Sequence, residues 1–437
     1  MSTDRFGNEF SPGVPYARGE LVSSTADDLA KLKAAWDTMR ARLAADPQRG
    51  VFIMNGLERG MKIEAGDIAL LDDEIAPALL ADDLHALGLA HLGGDADRHD
   101  VMVCNRQTAA LLVAGDVMIK EGDTVVGVSP RYSHPAVVRA VAHGGGSFTD
   151  CEGIEAFRQC MKKAAKVDVV VVTRLSVSYE LLTEAELREI FRIVHASGAK
   201  LLVDDAGGAR VGPAMFDQPA ALALGADVVC TGLDKYGTVG PRVGLVCGDR
   251  EIVARMRARA WEMGLEARPM LYPAVVRSLR QYRPERVREM VATTMLVRDA
   301  LLERLGEARL WITPVTVQLR AEDILELAME RVGIEKPPCV PYEATAALAM
   351  LLLRDYGMLT VHFAGMPPGT SALMIKFLTP ETLALFGGAE RVATAIDDSI
   401  TALSRIIRDK AALRALLVGA ERQLSAVKAE PLRANAT

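Results

Sequence analysis

The sequence predicts an α/β protein: a large domain with a doubly wound, mainly parallel sheet, followed by a smaller C-terminal α+β domain. Between about residues 100 and 265, short valine-rich runs alternate with amphipathic helical segments, as expected for strands buried on both faces of a sheet. After about residue 265 the order becomes helix, strands and helix, which is typical of an α+β domain. The 437 residues are enough for both domains.

The strands of the large domain are predicted from six apolar runs, at residues 100–104, 124–128, 167–173, 200–204, 227–230 and 243–247. Another strand is expected after the glycine-rich run at 143–147, which is typical of a helix end. The helix predicted at 185–197 has a capping box, with Thr183 as the cap and Glu186 three residues later. Ligands of such sheets bind beyond the carboxyl ends of the strands.

Two further regions flank the large domain, which we place at residues 51–265. Residues 1–50 are predicted as an N-terminal arm with a helix at 26–45, capped by Ser24 or Thr25, that packs on the main body or on a partner subunit. Residues 266–437 are predicted as a linker helix and a small C-terminal domain. The elements expected there are a helix at 283–305, a strand at 311–319, helices at 321–332 and 343–355, a strand pair at 359–363 and 372–377, and a helix at 389–410.

Composition excludes several classes of protein. The formal net charge of −6 argues against nucleic-acid binding. The N-terminal residues lack a basic and an apolar signal region, and the apolar stretches are too short to span a bilayer. The six cysteines form no Cys-x-x-Cys pair and no disulfide or zinc spacing. We therefore expect a reduced cytoplasmic location, no membrane partner and no metal.

Two side chains at predicted strand ends carry the strongest chemical signal. Asp204 ends the run Leu-Leu-Val-Asp, and Lys235 follows the next apolar run in Thr-Gly-Leu-Asp-Lys-Tyr-Gly. A carboxylate in this position can hold a pyridinium nitrogen, and a lysine can hold an aldehyde as a Schiff base. The pair therefore predicts pyridoxal phosphate as cofactor.

Four motifs make residues 100–250 resemble the fold-type I pyridoxal phosphate enzymes, the aspartate aminotransferase superfamily. They are Val-Cys-Asn-Arg-Gln-Thr-Ala-Ala from 103, Ser-Pro-Arg-Tyr-Ser-His from 129, Leu-Leu-Val-Asp-Asp-Ala-Gly-Gly-Ala-Arg from 201, and Thr-Gly-Leu-Asp-Lys-Tyr-Gly-Thr-Val-Gly-Pro-Arg from 231. In layout the resemblance covers most of the chain. The Asp-Lys context with its following glycines resembles the selenocysteine synthase-like and β-eliminating lyase branches.

The resemblance implies a set of cofactor contacts. The turn before the helix at 107 holds the cofactor phosphate in this superfamily. The resemblance therefore implies that the phosphate contacts are Asn105, Arg106, Gln107 and Thr108. A helix N-terminus suits an anion because its first N–H groups are free. Phosphate contacts from Thr231 or Arg242 are also expected, since arginine suits phosphate geometry.

The ring of the cofactor has its own expected contacts. By the resemblance, Asp204 pairs with the ring nitrogen and Ala206 lies against the ring. Either His134 or Tyr132 stacks on the other face, and the motif supports both. Gly207 stands where many members of the superfamily carry histidine.

Substrate contacts are predicted less directly. Arg174 ends a predicted strand at the same sheet edge, where it binds a substrate carboxylate or forms an internal ion pair. Many aminotransferases of the superfamily carry a carboxylate-binding arginine in the C-terminal domain. The corresponding region here offers His362 and Lys376, a departure that puts ordinary aminotransferase substrate binding in doubt.

These residues favour a lyase or transferase acting on a small amino acid or amino sugar acid. Lys235, Asp204 and His134 are the predicted catalytic residues, with Lys235 as the base for the α-proton, followed by β-elimination or replacement. The alternatives are an aminotransferase, an aldolase or decarboxylase that uses the same cofactor, and a non-catalytic cofactor-binding paralogue. The resemblance also implies a homodimer or a higher homo-oligomer.

Overall fold

The computed structural model of the protein describes residues 3–61 and 63–419. Within these ranges the chain forms fifteen α-helices. They are α1 (Thr25–Ala45), α2 (Ile75–Leu92), α3 (Gln107–Met118), α4 (Pro135–His143), α5 (Gly153–Lys163), α6 (Glu184–Ser197), α7 (Gly208–Phe216), α8 (Arg250–Met263), α9 (Tyr272–Gln281), α10 (Pro284–Leu305), α11 (Ala321–Glu330), α12 (Pro341–Tyr356), α13 (Pro380–Phe386), α14 (Ala389–Ile406) and α15 (Lys410–Val418). None of these helices has the length and apolar character needed to cross a bilayer.

The same ranges contain twelve strands. They are β1 (Phe52–Ile53), β2 (His99–Cys104), β3 (Thr124–Ser129), β4 (Ser147–Glu152), β5 (Val169–Thr173), β6 (Lys200–Asp204), β7 (Val228–Gly232), β8 (Gly244–Asp249), β9 (Trp311–Thr313), β10 (Thr316–Leu319), β11 (Met358–Leu359) and β12 (Leu373–Lys376).

The large sheet has the strand order β2-β8-β7-β6-β5-β3-β4. β8 runs antiparallel to both of its neighbours, and the other neighbouring pairs are parallel. The predicted doubly wound, mainly parallel sheet is therefore confirmed. Antiparallel β8 was not foreseen, because an apolar run buried on both faces carries no mark of its direction.

Two helical layers cover this sheet, as the pattern of β5 illustrates. Val170 and Val172 belong to one hydrophobic core, which includes residues of α2, α5, α6 and α9. Val169 and Val171 belong to another, which includes residues of α3, α4 and α8. Successive strand side chains point to opposite faces, so an uninterrupted valine run requires helices on both.

The C-terminal part corrects one prediction. The strand pair expected at 359–363 and 372–377 does not form: β12 pairs antiparallel with β10, while β11 is short and leads into a 3-10 helix at Val361–Phe363. β11 pairs in parallel with β1 from the opposite end of the chain. The local sequence shows two apolar runs, but not that their partners lie elsewhere.

The predicted arm packs on the C-terminal part of the chain. Ala30 and Ala35 of α1 share one hydrophobic core with residues of α12, α14 and α15. Ser24 forms the capping box of α1. The domain boundaries at residues 50 and 265 stay predictions.

The segment from β1 to residue 59 connects the region around β11 with the turn after β7. It begins with the pairing of Phe52 and Met358. It ends near Leu57, which forms an antiparallel bridge with Lys235 in the turn after β7. This connection brings residues from the first sixth of the chain to the carboxyl edge of the large sheet.

Candidate active site

A cavity of about 200 Å³ lies at the carboxyl ends of β5, β6 and β7 and is closed on one side by residues 361–376. It brings together nine of the side chains predicted from the sequence. These are Arg106, Gln107, Thr108, His134, Asp204, Ala206, Lys235, Arg242 and Lys376.

Asp204 is the last residue of β6 and is 3% exposed. Its Oδ1 accepts a hydrogen bond of 3.0 Å from Nε2 of Gln107, which also donates to the carbonyl of Cys230 at 2.9 Å. Burial raises the pKa of Asp204 to about 6, against the opposing effects of the Gln107 hydrogen bond and the charge of Lys235. Asp204 is therefore a buried carboxyl that ionises near neutrality.

Lys235 lies in the turn between β7 and β8 and reaches into the cavity. Burial and the positive charges of Arg210 and Arg59 lower its pKa, while Asp234 and Asp204 oppose the change. The turn requires a backbone conformation that favours glycine, since Gly237 has a φ of +93°. A lysine with a depressed pKa carries more of the free amine form, which is the form that reacts with an aldehyde or accepts a proton.

His134 caps the N-terminus of α4. Its Nδ1 accepts a hydrogen bond of 3.0 Å from the backbone N–H of Ala136, so a neutral ring carries its proton on Nε2. Burial and the charges of Lys235 and Arg139 lower the pKa of His134 to about 3. The imidazole is thus held in one orientation and one tautomer, uncharged, at the cavity wall.

Three arginines form a positive cluster in the cavity wall: Arg59, Arg106 and Arg242. Burial, followed by the charges of Arg59 and Arg106, lowers the pKa of Arg242 to about 10. Arg59 is paired with Asp234 at 2.8 Å, and Arg242 donates to the carbonyl of Ala364 at 3.1 Å. An anion bound here would relieve the repulsion among the three guanidinium groups.

The positive cluster adjoins the start of α3. Arg106 is the N-cap residue of this helix and makes no side-chain capping hydrogen bond. The first N–H groups of α3 therefore have no side-chain cap, next to Gln107 and Thr108 in the cavity wall. This combination is chemically suited to a phosphate group.

Lys376, at the end of β12, is a second buried lysine in the cavity. Its amine bonds the hydroxyl of Tyr179 and lies 3.1 Å from that of Tyr236, and the two hydroxyls bond each other. Burial and the charge of Lys235 lower the pKa of Lys376 well below its usual value. Tyr179 and Tyr236 have φ angles of +66° and +55°, a conformation that residues other than glycine rarely adopt and that is often found at functional sites.

Arg174 lies outside this cavity, which corrects its prediction as a substrate contact. The guanidinium is fully buried, 3.2 Å from the carboxylate of Asp205, and donates to the carbonyl of Pro219 at 3.0 Å. The internal ion pair considered in the sequence analysis is the arrangement that the structure shows.

Four other predicted contacts also lie outside the cavity lining. Asn105 is exposed, with its backbone N–H donating to Leu265. Thr231 is buried and donates to the carbonyl of Asp205 at 2.9 Å.

Tyr132 bonds the side chain of Thr370. Of the two stacking candidates, His134 is therefore the one that lines the cavity. His362 is buried near Tyr342, with ring centroids 5.8 Å apart, and its Nε2 bonds the carbonyl of Ser371. Strand position alone did not separate side chains of the cavity from those of the core beside it.

Several cavity residues were missed from the sequence: Arg59, Arg139, Tyr179 and Tyr236. Tyr236 follows Lys235 directly, and this adjacency was a usable signal. Arg59 lies before the first strand of the large sheet, with no local motif. It lies two residues after Leu57, which bridges to the lysine turn, and it is held at the site by contacts with Asp234 and the carbonyl of Ala364.

Comparison with known proteins agrees with this geometry. The sequence profile described as "Aminotransferase class I and II" matches residues 88–319, more than half of the chain. The chain belongs to this family. The assignment to the fold-type I pyridoxal phosphate enzymes made from the sequence is therefore confirmed.

The individual relatives have low sequence identity to this chain. A "UPF0425 pyridoxal phosphate-dependent protein" of Methanothermobacter thermautotrophicus is 28% identical over 85% of this chain and 92% of its own length. Alanine–glyoxylate aminotransferase from Nostoc sp. shares the fold with a TM-score of 0.55 and 12% identity, over 80% of this chain and 95% of its own. The pyridoxal phosphate-dependent cyclase OrfR gives a TM-score of 0.58 and 16% identity, over 84% and 97%. At these identities the structures establish the fold.

Proposed function

We propose that the protein is a pyridoxal phosphate enzyme that removes the α-proton of a small amino acid or amino sugar acid, with loss or exchange of a substituent on the β-carbon. One observation carries this proposal: Asp204 ends β6, Lys235 lies in the turn that follows the adjacent β7, and both side chains line one cavity. The distant relative's description as a pyridoxal phosphate-dependent protein supports the choice of cofactor.

The residues present fit the cofactor. The uncapped start of α3 and the positive cluster suit its phosphate. Asp204 suits a protonated ring nitrogen, because pairing with a cation favours the carboxylate form. Oε1 of Gln107 is buried without a hydrogen-bond partner, so a polar acceptor is available beside Asp204.

The residues that would bind the cofactor follow from these positions. We assign the phosphate to Arg106, Thr108 and Arg242, and the ring to His134 and Asp204. When bound, pyridoxal phosphate supplies an electron sink for charge that develops on the α-carbon.

Lys235 is the group that we assign to proton transfer. Its lowered pKa leaves more free amine at neutral pH, and the amine lies in the cavity. A base in this state accepts the α-proton at Nζ without first losing a proton to solvent. Asp234, paired with Arg59, lies beside it and stabilises the ammonium form that results.

The second lysine favours elimination or replacement over transamination. A group that leaves the β-carbon departs more easily when it receives a proton. We assign this proton to the hydroxyl of Tyr179, which the ammonium form of Lys376 can reprotonate through their hydrogen bond. The prediction of Lys376 as a substrate contact is retained in this form, because Tyr179 and Lys376 both line the cavity.

Transamination is the second candidate, and membership of the aminotransferase family favours it. The two reactions differ in their products. Elimination releases ammonia and a 2-oxo acid in many turnovers. Transamination stops at one equivalent of oxo acid per site unless a second oxo acid is supplied as acceptor.

We also propose that the protein acts as at least a homodimer. Exposed apolar side chains gather in the stretch before and within α2: Ile63, Ile68, Ile75 and Leu79. A surface of this kind is typical of a subunit contact. A molar mass by light scattering equal to one chain would contradict this.

The test of the function is a visible spectrum of the protein with added pyridoxal phosphate, before and after borohydride, with mass spectrometry of the modified peptide. We expect a band that reduction converts to a stable modification on Lys235. No band, or a modification on another lysine, would refute the proposal. A screen of small amino acids for ammonia then separates elimination from transamination.

A further inference from the structure

Arg210 of α7 is a buried cation beneath the carboxyl edge of the sheet. The side chain is 0% exposed. Its Nη2 donates to the carbonyl of Ala206 and to the carbonyl of Gly232, both at 2.7 Å. Ala206 comes two residues after Asp204, and Gly232 ends β7, three residues before Lys235. One guanidinium nitrogen thus joins the two chain segments that carry the proposed catalytic pair.

We propose that Arg210 is a positioning residue: it fixes the chain after Asp204 to the end of the strand before Lys235 and places a positive charge close to the Lys235 amine. The planar, permanently charged guanidinium suits this role, because it can donate several hydrogen bonds in fixed directions. Thr231 strengthens the same junction by donating to the carbonyls of Asp205 and Ala206 at 2.9 and 3.3 Å.

The charge of Arg210 has few direct partners. In the described ranges it forms no ion pair, and its Nη1 lies 3.2 Å from Nε2 of His91. Burial and the charge of Arg210 lower the pKa of His91 to about 3, so that ring is neutral and accepts the hydrogen bond. A buried cation without an ion-pair partner acts strongly on its neighbours, because little water screens it. The affected neighbour in the cavity is Lys235.

The charged and titratable groups around this pair are known. Those acting on Lys235 are Asp234, Arg210, Asp204 and Arg59, and the charge of Lys235 in turn acts on His134 and Lys376. Those acting on Arg210 include Tyr282, Asp205, Asp234, Tyr236 and His91. Arg210 is the largest contributor among the charges that lower the pKa of Lys235. Without Arg210, less positive charge counters the effect of Asp234 and Asp204, which raise the pKa of Lys235. That pKa should therefore rise.

The experiment measures the protonation of Lys235 in the protein without cofactor. Trace acetylation at several pH values, followed by peptide mass spectrometry, gives the reactivity of Lys235 relative to the exposed Lys33. Because a higher pKa leaves less of the free amine, we expect Arg210→Met to reduce acetylation of Lys235 several-fold at pH 7.5. Arg210→Lys, which keeps the charge, restores most of it.

Two further variants keep the result decisive. Arg210→Gln removes the charge but keeps a donor for one carbonyl, and it replaces Arg210→Met if that variant does not fold. Arg174→Met removes another fully buried arginine and should leave the pH profile of Lys235 in place. Unchanged acetylation of Lys235 in the neutral variants, an equal loss in Arg174→Met, or no recovery in Arg210→Lys would overturn the inference.

The importance of this arrangement rests on the proposed function, but its test does not. Acetylation reports the state of the amine whether or not the protein binds pyridoxal phosphate. Failure to bind the cofactor would therefore refute the proposed function and leave the role of Arg210 to be judged separately.

Discussion

Gln107 and Asp204 are joined by a hydrogen bond of 3.0 Å from Nε2 to Oδ1, across the gap between α3 and β6. The same nitrogen donates to the carbonyl of Cys230 at the neighbouring strand. The amide thus fixes the orientation of the carboxyl and favours its charged form, in a place where burial favours the neutral form. This opposition sets the pH range in which Asp204 can pair with a cation.

Replacing Gln107 with leucine should move the acid limb of the pH–activity profile to higher pH. Without the hydrogen bond the pKa of Asp204 rises, so the carboxylate is lost at a higher pH as the pH falls. The profile of kcat/KM between pH 5 and 9 measures this. Gln218→Leu serves as control: this buried glutamine donates to the carbonyl of Leu182, away from the cavity, and its loss should not shift the limb.

Asp204→Asn should stabilise the cofactor-free protein at alkaline pH. The folded-state pKa of about 6 lies above the ordinary value of 3.8, so this carboxyl contributes stability below pH 3.8 that is lost as the pH rises through 6. Asparagine does not ionise, so the variant avoids that loss. Its free energy of unfolding should gain about 3 kcal/mol relative to the wild type between acid pH and pH above 7. Urea unfolding at pH 4 and pH 8 checks this. An equal difference at both values would contradict it.

Replacing the adjacent carboxylate, that of Asp205, should lower the stability of the protein. Asp205→Asn leaves the buried Arg174 without its ion-pair partner and should destabilise the protein by about 3–5 kcal/mol. Arg174→Met should also reduce stability while leaving the KM for substrate unchanged in folded protein. An increase in KM at wild-type stability would restore Arg174 as a substrate contact.

Arg242→Met should weaken pyridoxal phosphate far more than pyridoxal. A lost charge-assisted hydrogen bond costs about 1.5–3 kcal/mol, or roughly a 10- to 100-fold rise in Kd. Pyridoxal has no phosphate and is the matched control ligand. Titration of the visible band with each compound measures both constants, and equal weakening of the two would place the phosphate elsewhere.

Much of the fold could be predicted because its signals are local. The valine run at β5 and the cap at Thr183 both lie within a few residues of the elements that they specify. The direction of β8 and the partner of β11 depend on segments far away in the chain, and no local pattern encodes them.

The residues of the site also fall into those that local sequence predicts and those that depend on distant contacts. Asp204 and Lys235 were found because a charged residue at the end of a buried strand, or in the turn just after one, has few structural reasons to be there. Arg174 satisfied the same rule, and His362 was proposed from its place in the C-terminal domain, but both lie outside the cavity, since their partners, Asp205 and Ser371, could not be predicted from these positions. Arg59 was missed because its place depends on contacts with both Asp234 and the carbonyl of Ala364.

The segment from Phe52 to Leu57 has a mechanical consequence. One end is hydrogen-bonded beside β11, in the part of the chain that supplies Lys376, and the other is bridged to the backbone of Lys235. A six-residue tether of this kind has little slack. We therefore expect a displacement of the C-terminal part to be transmitted through this segment to the lysine turn, so that movement of one cavity wall also shifts the amine of Lys235.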